Sequence, residues 1–380
     1  MRRAPEPGLP VVVSGMVGAV PGHGGATWAV LQYVHGLRGL GYEPVLLEAV
    51  ASRDFTPAAR AYFSRVCERA GLSGRSALID DSGRTSGMDR ADLVDLIERA
   101  PALLNLAGTL RDPDLLGRIP TRVYVDLDPA FTQLWQSLEG LDMGLAGHTH
   151  YASVGLDIGR PTCDIPTLDR EWIPTLPPVC LQQWPVSKTH PGDAWTTVAN
   201  WRGYGSISDG ERRYGQKAHA FRPLFELPGR TSARFALALA IHPDEASDLA
   251  ALETNRWIVL DPENVSSTPD RYRRFVSESY AELGVAKEGY VEADCGWFSD
   301  RSACYLAAGK PVLALDTGFG RHLPTGEGLI AFRDIDEAVA GVEAIQANYA
   351  AHARAARDVA EAHLDARVVV GRLLERVGVA

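Results

Sequence analysis

The chain is poor in cysteine, in clustered basic residues and in long apolar runs, and each shortage removes a class of function. Its five cysteines (Cys67, Cys163, Cys180, Cys295 and Cys304) are odd in number, scattered and never spaced C-x-x-C. Neither a disulfide framework nor a zinc site is indicated, and a reducing, cytoplasmic setting is expected. Basic residues number 38 against 48 acidic ones, a formal charge of -10, and no Lys/Arg block stands out. Nonspecific binding to DNA, RNA or an anionic membrane is therefore not expected, and nucleic acid is read as excluded from the partners. No segment approaches the roughly 18 uninterrupted apolar residues of a membrane span, so no transmembrane segment is expected. The opening MRR before an apolar stretch imitates a signal peptide, but Pro5, Pro7 and Pro10 interrupt it. A helical pattern follows, so the stretch reads as a first strand.

What is present is length and alternation. With 380 residues, 46% of them hydrophobic, the chain exceeds the size at which one core stops growing, and two domains are expected. The first half alternates VVVSGMV, TWAVLQYVHGLRGLG, EPVLLEAV, AARAYFSRVCERAG, ADLVDLIERA, ALLNLAG, DPDLLGRI and RVYVDLDP, strand-like and helix-like by turns. The second half repeats the habit with strand candidates WTTVANW, FALALAI, RWIVLDP, GYVEAD, PVLALDT and GLIAF. Its helix candidates lie near HAFRPLFEL, DEASDLAAL, DRYRRFVSESYAELG and DRSACYLAAG, and in the Ala- and Arg-rich C-terminal region. Such alternation predicts an α/β protein with two Rossmann-like doubly wound domains facing across a cleft. Six prolines between residues 166 and 191 mark the seam. The divisions are residues 1–180, 181–360 and a terminal helix, 361–380. A homodimer is compatible with the sequence and is not required by it.

Ligands of such sheets collect at the carboxyl ends of strands. There the sequence puts VPGHGGATW, in which Gly22, Gly24 and Gly25 allow close approach and His23 offers an imidazole suited to general-base work. Asp126 and Asp128 in VYVDLDP alternate along a strand and point to substrate positioning or to pairing with His23, rather than to metal binding. His148 and His150 in GHTHY lack a third ligand, so His148 is carried as a cleft residue and no metal is expected. In the second half a strand is expected to end near Asp294. Ser299, Asp300, Arg301 and Ser302 then open a short helix whose N-terminus suits an anion. Trp201, Trp297 and Phe298 offer flat faces for a base or a sugar, with core packing as the alternative.

SDRSACYLAAGKPV followed by ALDTG resembles the donor domain of nucleotide-sugar glycosyltransferases of the GT-B fold, with its polar helix start, A-x-G-x-P-V and D-x-G. PGHGGATWAVLQYVHGLRGLG resembles the G-x-G-G-H loop and L-x-x-x-G helix that open some acceptor domains of that family. The resemblance implies transfer of a sugar from a nucleoside diphosphate sugar, a co-substrate, to a hydroxyl-bearing small-molecule acceptor, in natural-product biosynthesis, without a cofactor or metal. It further implies a donor role for Asp316, Thr317, Gly318 and Phe319 and the acceptor side for the His23 loop; a departing diphosphate also needs positive charge, for which Arg202, Lys217 and Lys287 are the isolated cations of the second half, Lys217 and Arg301 being the preferred pair. The paired glutamates of many retaining members are absent, and the H-x-G element of many inverting ones is replaced by WFSDRS. The stereochemical outcome is thus left open, as are two rival readings: a nucleotide-sugar epimerase and a noncatalytic nucleotide-sugar-binding partner protein.

Overall fold

A computed structural model describes residues 8–186 and 192–379. The basic start with Pro5 and Pro7, and the last five residues of the proline-rich seam, lie outside the described residues. The first sheet holds β1 (Pro10–Ser14), β2 (Glu43–Val50), β3 (Ser76–Asp80), β4 (Thr85–Gly87), β5 (Ala102–Leu106), β6 (Thr121–Asp126), β7 (His150–Ser153) and β8 (Trp172–Pro174). Their order is 4-3-2-1-5-6-7-8, parallel throughout except for the short β3–β4 pair. A second sheet begins with β9 (Ala194–Asn200). After a small hairpin, β10 (Ile207–Asp209) with β11 (Arg212–Tyr214), it continues through β12 (Arg234–Ala240), β13 (Ile258–Leu260), β14 (Ala281–Gly284), β15 (Val312–Leu315) and β16 (Leu329–Phe332). Its order, 13-12-9-14-15-16, is parallel throughout.

Strands covered on both faces read as continuous apolar runs, and Val11, Val12 and Val13 of β1 are fully buried. In both sheets the strand order reverses beside the first strand, opening a crevice at the carboxyl ends of β1 and β5 and another at those of β9 and β14. The chain then returns to its first half. Helix Ala366–Arg376 lies against helix Gly24–Gly39 so closely that a Cβ on Gly36 would stand 2.8 Å from the Ala366 carbonyl oxygen. Tyr42 donates its hydroxyl to Val379 O at 2.9 Å. No helix among the described residues is long and apolar enough to cross a membrane.

Two expected elements differ. GYVEAD forms no strand but lies in helix Glu288–Ala293, burying Gly289, Tyr290 and Ala293 and exposing Val291 and Glu292, a helical and not an alternating pattern. The strand at that place in the sheet is β14, AELG, which had read as the end of a long helix. That helix stops at Glu278. All four β14 residues are buried, so no alternation betrays the strand, and Glu282 is there only because Arg301 neutralises it.

Candidate functional site

The glycine loop after β1 is organised by a carboxylate. Glu48, fully buried on β2, accepts hydrogen bonds from the backbone N–H groups of Val17 (2.9 Å), Gly18 (2.7 Å) and Ala19 (2.7 Å). Burial raises its pKa and these three bonds oppose the rise. Consecutive N–H groups are what a phosphate would use, and here the protein's own anion occupies them. The glycines serve a different end: a Cβ on Gly24 would stand 2.3 Å from Thr268 O and 2.8 Å from Ser266 O, across the cleft on the second half. Only a glycine admits that approach. His23 precedes helix Gly24–Gly39 at its N-cap, with Nδ1 3.3 Å from Pro21 O, and faces the cleft.

That cleft is a cavity of about 720 Å³ between the two halves. The first half gives it Gly22, His23, Gly25 and Ala26; the second gives the carboxyl end of β9 (Val198, Ala199, Asn200), Lys217, and Ser299, Asp300 and Arg301 at the start of helix Asp300–Ala307. Ser299 is the N-cap, yet its side chain makes no capping bond. Lys217, first residue of helix Lys217–Phe221, gives its ammonium to the Val285 carbonyl. Burial, with Arg301 and Lys287 nearby, drives its pKa well below that of a free lysine. Burial also acts on Arg301, but Glu282 together with Tyr272 and Tyr305 more than offsets it: Nε pairs with Glu282 Oε1, Nη1 donates to Val198 O at 3.1 Å, and the group stays charged. Asp300 is open to the cleft, while the protein packed around it desolvates its carboxyl and raises its pKa, Arg301 pulling the other way.

Asp126 and Asp128 part company. Asp126 is fully buried and takes hydrogen bonds from Thr132 Oγ1 (2.7 Å), Gln133 Nε2 (3.0 Å) and Ser153 Oγ (2.7 Å), fixing the ends of β6 and β7. Asp128 instead reaches across to the second half. Lys287 Nζ lies 3.1 Å from both its oxygens, the hydroxyls of Tyr204 and Tyr290 donate to it, and the Lys287 ammonium sits 4.1 Å from the Tyr204 ring centroid. Burial lowers the Lys287 pKa and Asp128 opposes that. Neither carboxylate pairs with His23 among the described residues. A second bridge joins Asp157 of the first half to Arg321 (2.8 Å) and His322 (2.8 Å) of the second.

Other sequence candidates fall away from the cavity. Arg202 pairs with Glu245 outside it. Trp201 is buried and donates to Asp248 at 2.8 Å, and Phe298 packs against Phe319, ring centroids 5.4 Å apart. Asp316 accepts the Gly318 N–H at 2.9 Å and Thr317 bonds Trp297 O, so the DTGF turn braces the GWF segment and does not line the cavity. Ser302 is buried one turn in. His148 bonds Asn105 (2.9 Å) and Leu145 O (3.2 Å), and burial lowers its pKa. Trp297 does line the cavity, stacked on Tyr290 at 4.2 Å. Glu48, Tyr204 and Tyr290 were missed by sequence reasoning. A lone Glu inside the apolar run EPVLLEAV was the one available signal, since a buried carboxylate must find partners. Among the described residues no group of three or more His, Cys, Asp or Glu converges as metal ligands would.

No protein-family model matches the chain, and comparison with curated proteins found no relative. Solved structures do match over nearly its whole length. An alpha-glucosyltransferase (AGT) in complex with UDP superposes with TM-score 0.60 at 12% identity, covering 97% of this chain and 99% of that one. HepE of Anabaena in complex with UDP and glucose gives 0.58 at 9%, covering 98% and 100%. A putative UDP-N-acetylglucosamine 2-epimerase from Listeria monocytogenes gives 0.51 at 11%, covering 97% and 96%. The chain has the GT-B fold of nucleotide-sugar enzymes, and at these identities the likeness shows the fold alone. One expectation is corrected: alpha-glucosyltransferase structures that match this chain hold DNA, so the exclusion of nucleic acid does not stand. It rested on net charge, which averages over a surface and says nothing of one local face.

Proposed function

We propose that the protein is a glycosyltransferase that transfers a sugar from a nucleoside diphosphate sugar, with UDP-sugars first in line, to an acceptor hydroxyl. The observation that carries this reading is the cavity of about 720 Å³ in which the N-terminus of helix Asp300–Ala307 and the basic side chains of Lys217 and Arg301 face the glycine loop of the other half. The diphosphate lies against that helix start, where N–H groups and dipole favour negative charge. Lys217 and Arg301 then stabilise the charge that grows on the departing phosphate. Trp297 and Tyr290 stand beside the transferred sugar. His23, on the acceptor side, faces them from the opposite wall.

An epimerase is the second reading, favoured by the Listeria monocytogenes structure. It needs no acceptor, whereas this chain carries a further cavity next to the first. Thermal unfolding with a panel of nucleoside diphosphates and nucleotide sugars tests the proposal. A ligand at 100 times its Kd adds about 2.7 kcal/mol and raises Tm visibly. UDP or a UDP-sugar should do so, and Lys217→Met should weaken the effect. If no nucleotide stabilises the protein, the reading fails. Release of UDP that depends on an added alcohol or a hydroxymethylated DNA marks a transferase, and conversion of the donor alone an epimerase.

A further inference from the structure

A second cavity, of about 270 Å³, adjoins the cleft and shares Ala26, Tyr290, Trp297 and Asp300 with it. Apart from Phe298, its other walls come from the first half: Met16 in the glycine loop, Ala29 and Val30 on helix Gly24–Gly39, Leu106 ending β5, and Leu127 and Val154 just beyond β6 and β7. These are the carboxyl ends of the strands next to the reversal of strand order. Nearly all of this surface is aliphatic or aromatic. The exceptions are the Asp300 carboxylate, at the side shared with the donor cleft, and Tyr33, whose buried hydroxyl has no hydrogen-bond partner. The two interact electrostatically. A buried hydroxyl without a partner is unusual in a folded protein, and this one lies behind the wall, closed off from the cavity itself.

We infer that this cavity seats the acceptor, that the acceptor carries its hydroxyl on an apolar ring body, and that Asp300 takes the hydroxyl proton. The apolar body fills the aliphatic walls while its hydroxyl meets Asp300 at the mouth. The acceptor oxygen forms a bond to the anomeric carbon, the bond from that carbon to the phosphate oxygen breaks, and its electron pair leaves with the diphosphate. The acceptor proton passes to the Asp300 carboxylate and from there to solvent. A base with a pKa above the ordinary carboxylate value suits that transfer. That the occupant is an acceptor rests on the donor reading above; that the cavity takes an alcohol with an apolar ring body does not.

The two parts are separable by experiment. Calorimetry of the full chain with 2-naphthalenemethanol, without nucleotide, should show saturable binding that Met16→Trp and Ala29→Phe both weaken at least tenfold, with UDP-induced stabilisation as the folding control. Glycerol should not saturate. With a UDP-sugar present, Asp300→Asn should slow transfer to 2-naphthalenemethanol by about 10²–10⁴-fold. Transfer to 4-nitrophenol, ionised in mildly alkaline buffer, should suffer far less, a rescue that a merely structural residue would not give. Unchanged naphthalenemethanol binding in both variants overturns the inference. So does equal loss with the two acceptors, or saturation by a hydroxymethylated DNA duplex and not by the aromatic alcohol. Failure of UDP to stabilise the protein, with naphthalenemethanol still bound, counts against the donor reading and leaves the cavity assignment standing.

Discussion

Glu48 shows how one residue decides what a loop can do. With its carboxylate on three N–H groups, the glycine loop is rigid and its anion nest is filled. Glu48→Ala leaves those donors buried without a partner, so urea unfolding should register a loss of about 2–4 kcal/mol, and Glu48→Gln a smaller one because an amide oxygen still accepts. Lys217 makes a second residue-scale prediction through its depressed pKa. Burial in the free cleft disfavours the ammonium, whereas a bound diphosphate favours it, so donor binding should raise the pKa and take up protons. Calorimetry in buffers of different ionisation heat, at pH values below the ordinary lysine pKa, should reveal that uptake, and Lys217→Met should abolish it. For Asp300 the sign is the reverse of an ordinary carboxylate's. Its raised pKa shifts the acid limb of kcat/KM upward, activity falling as pH drops through that value, and Asp300→Asn should remove the limb.

At the level of elements, the glycine loop and the helix Asp300–Ala307 are the two halves of one device. Gly24 lets the loop press on the backbone at Ser266 and Thr268. Gly24→Ala should hold the halves apart and cost on the order of 10-fold or more in turnover, through misplacement rather than lost chemistry. A UDP-stabilised Tm as high as that of the unmutated chain, with unchanged turnover, would contradict this. The elements around the loop were legible in the sequence because β1 and helix Gly24–Gly39 carry clean apolar runs and a helical period. β14 was not, since AELG is short, buried throughout and holds a Glu whose partner, Arg301, lies on another element. GYVEAD misled for the opposite reason: its one aromatic and one β-branched residue suggest a strand, and only the tertiary burial of Tyr290 and Ala293 reveals the helix. The helix start at Ser299 was readable from residue types alone. The partners of Asp126 and Asp128 were not, because alternation along a strand cannot tell which carboxylate is buried at home and which crosses to the other half.

For the molecule as a whole, cross-cleft pairs hold the two halves in register. Asp128 with Lys287 is the more telling, its side chains 29% and 21% exposed and capped by two tyrosine hydroxyls. Asp128→Ala leaves a partly buried ammonium unpaired and should cost about 1–3 kcal/mol, below the 3–5 of a fully buried pair, with Asp128→Ala/Lys287→Met milder than the single change. The same pair joins the two halves beside the cleft, and scattering in solution should report a wider particle for the single variant. The central claim is that the cleft between the two sheets is a nucleoside diphosphate site. A crystal structure with UDP tests it most directly. The diphosphate should lie against the N–H groups of residues 300–302 beside Lys217, with the His23 loop opposite. UDP bound outside this cleft, or absent from it at saturating concentration, would contradict the account.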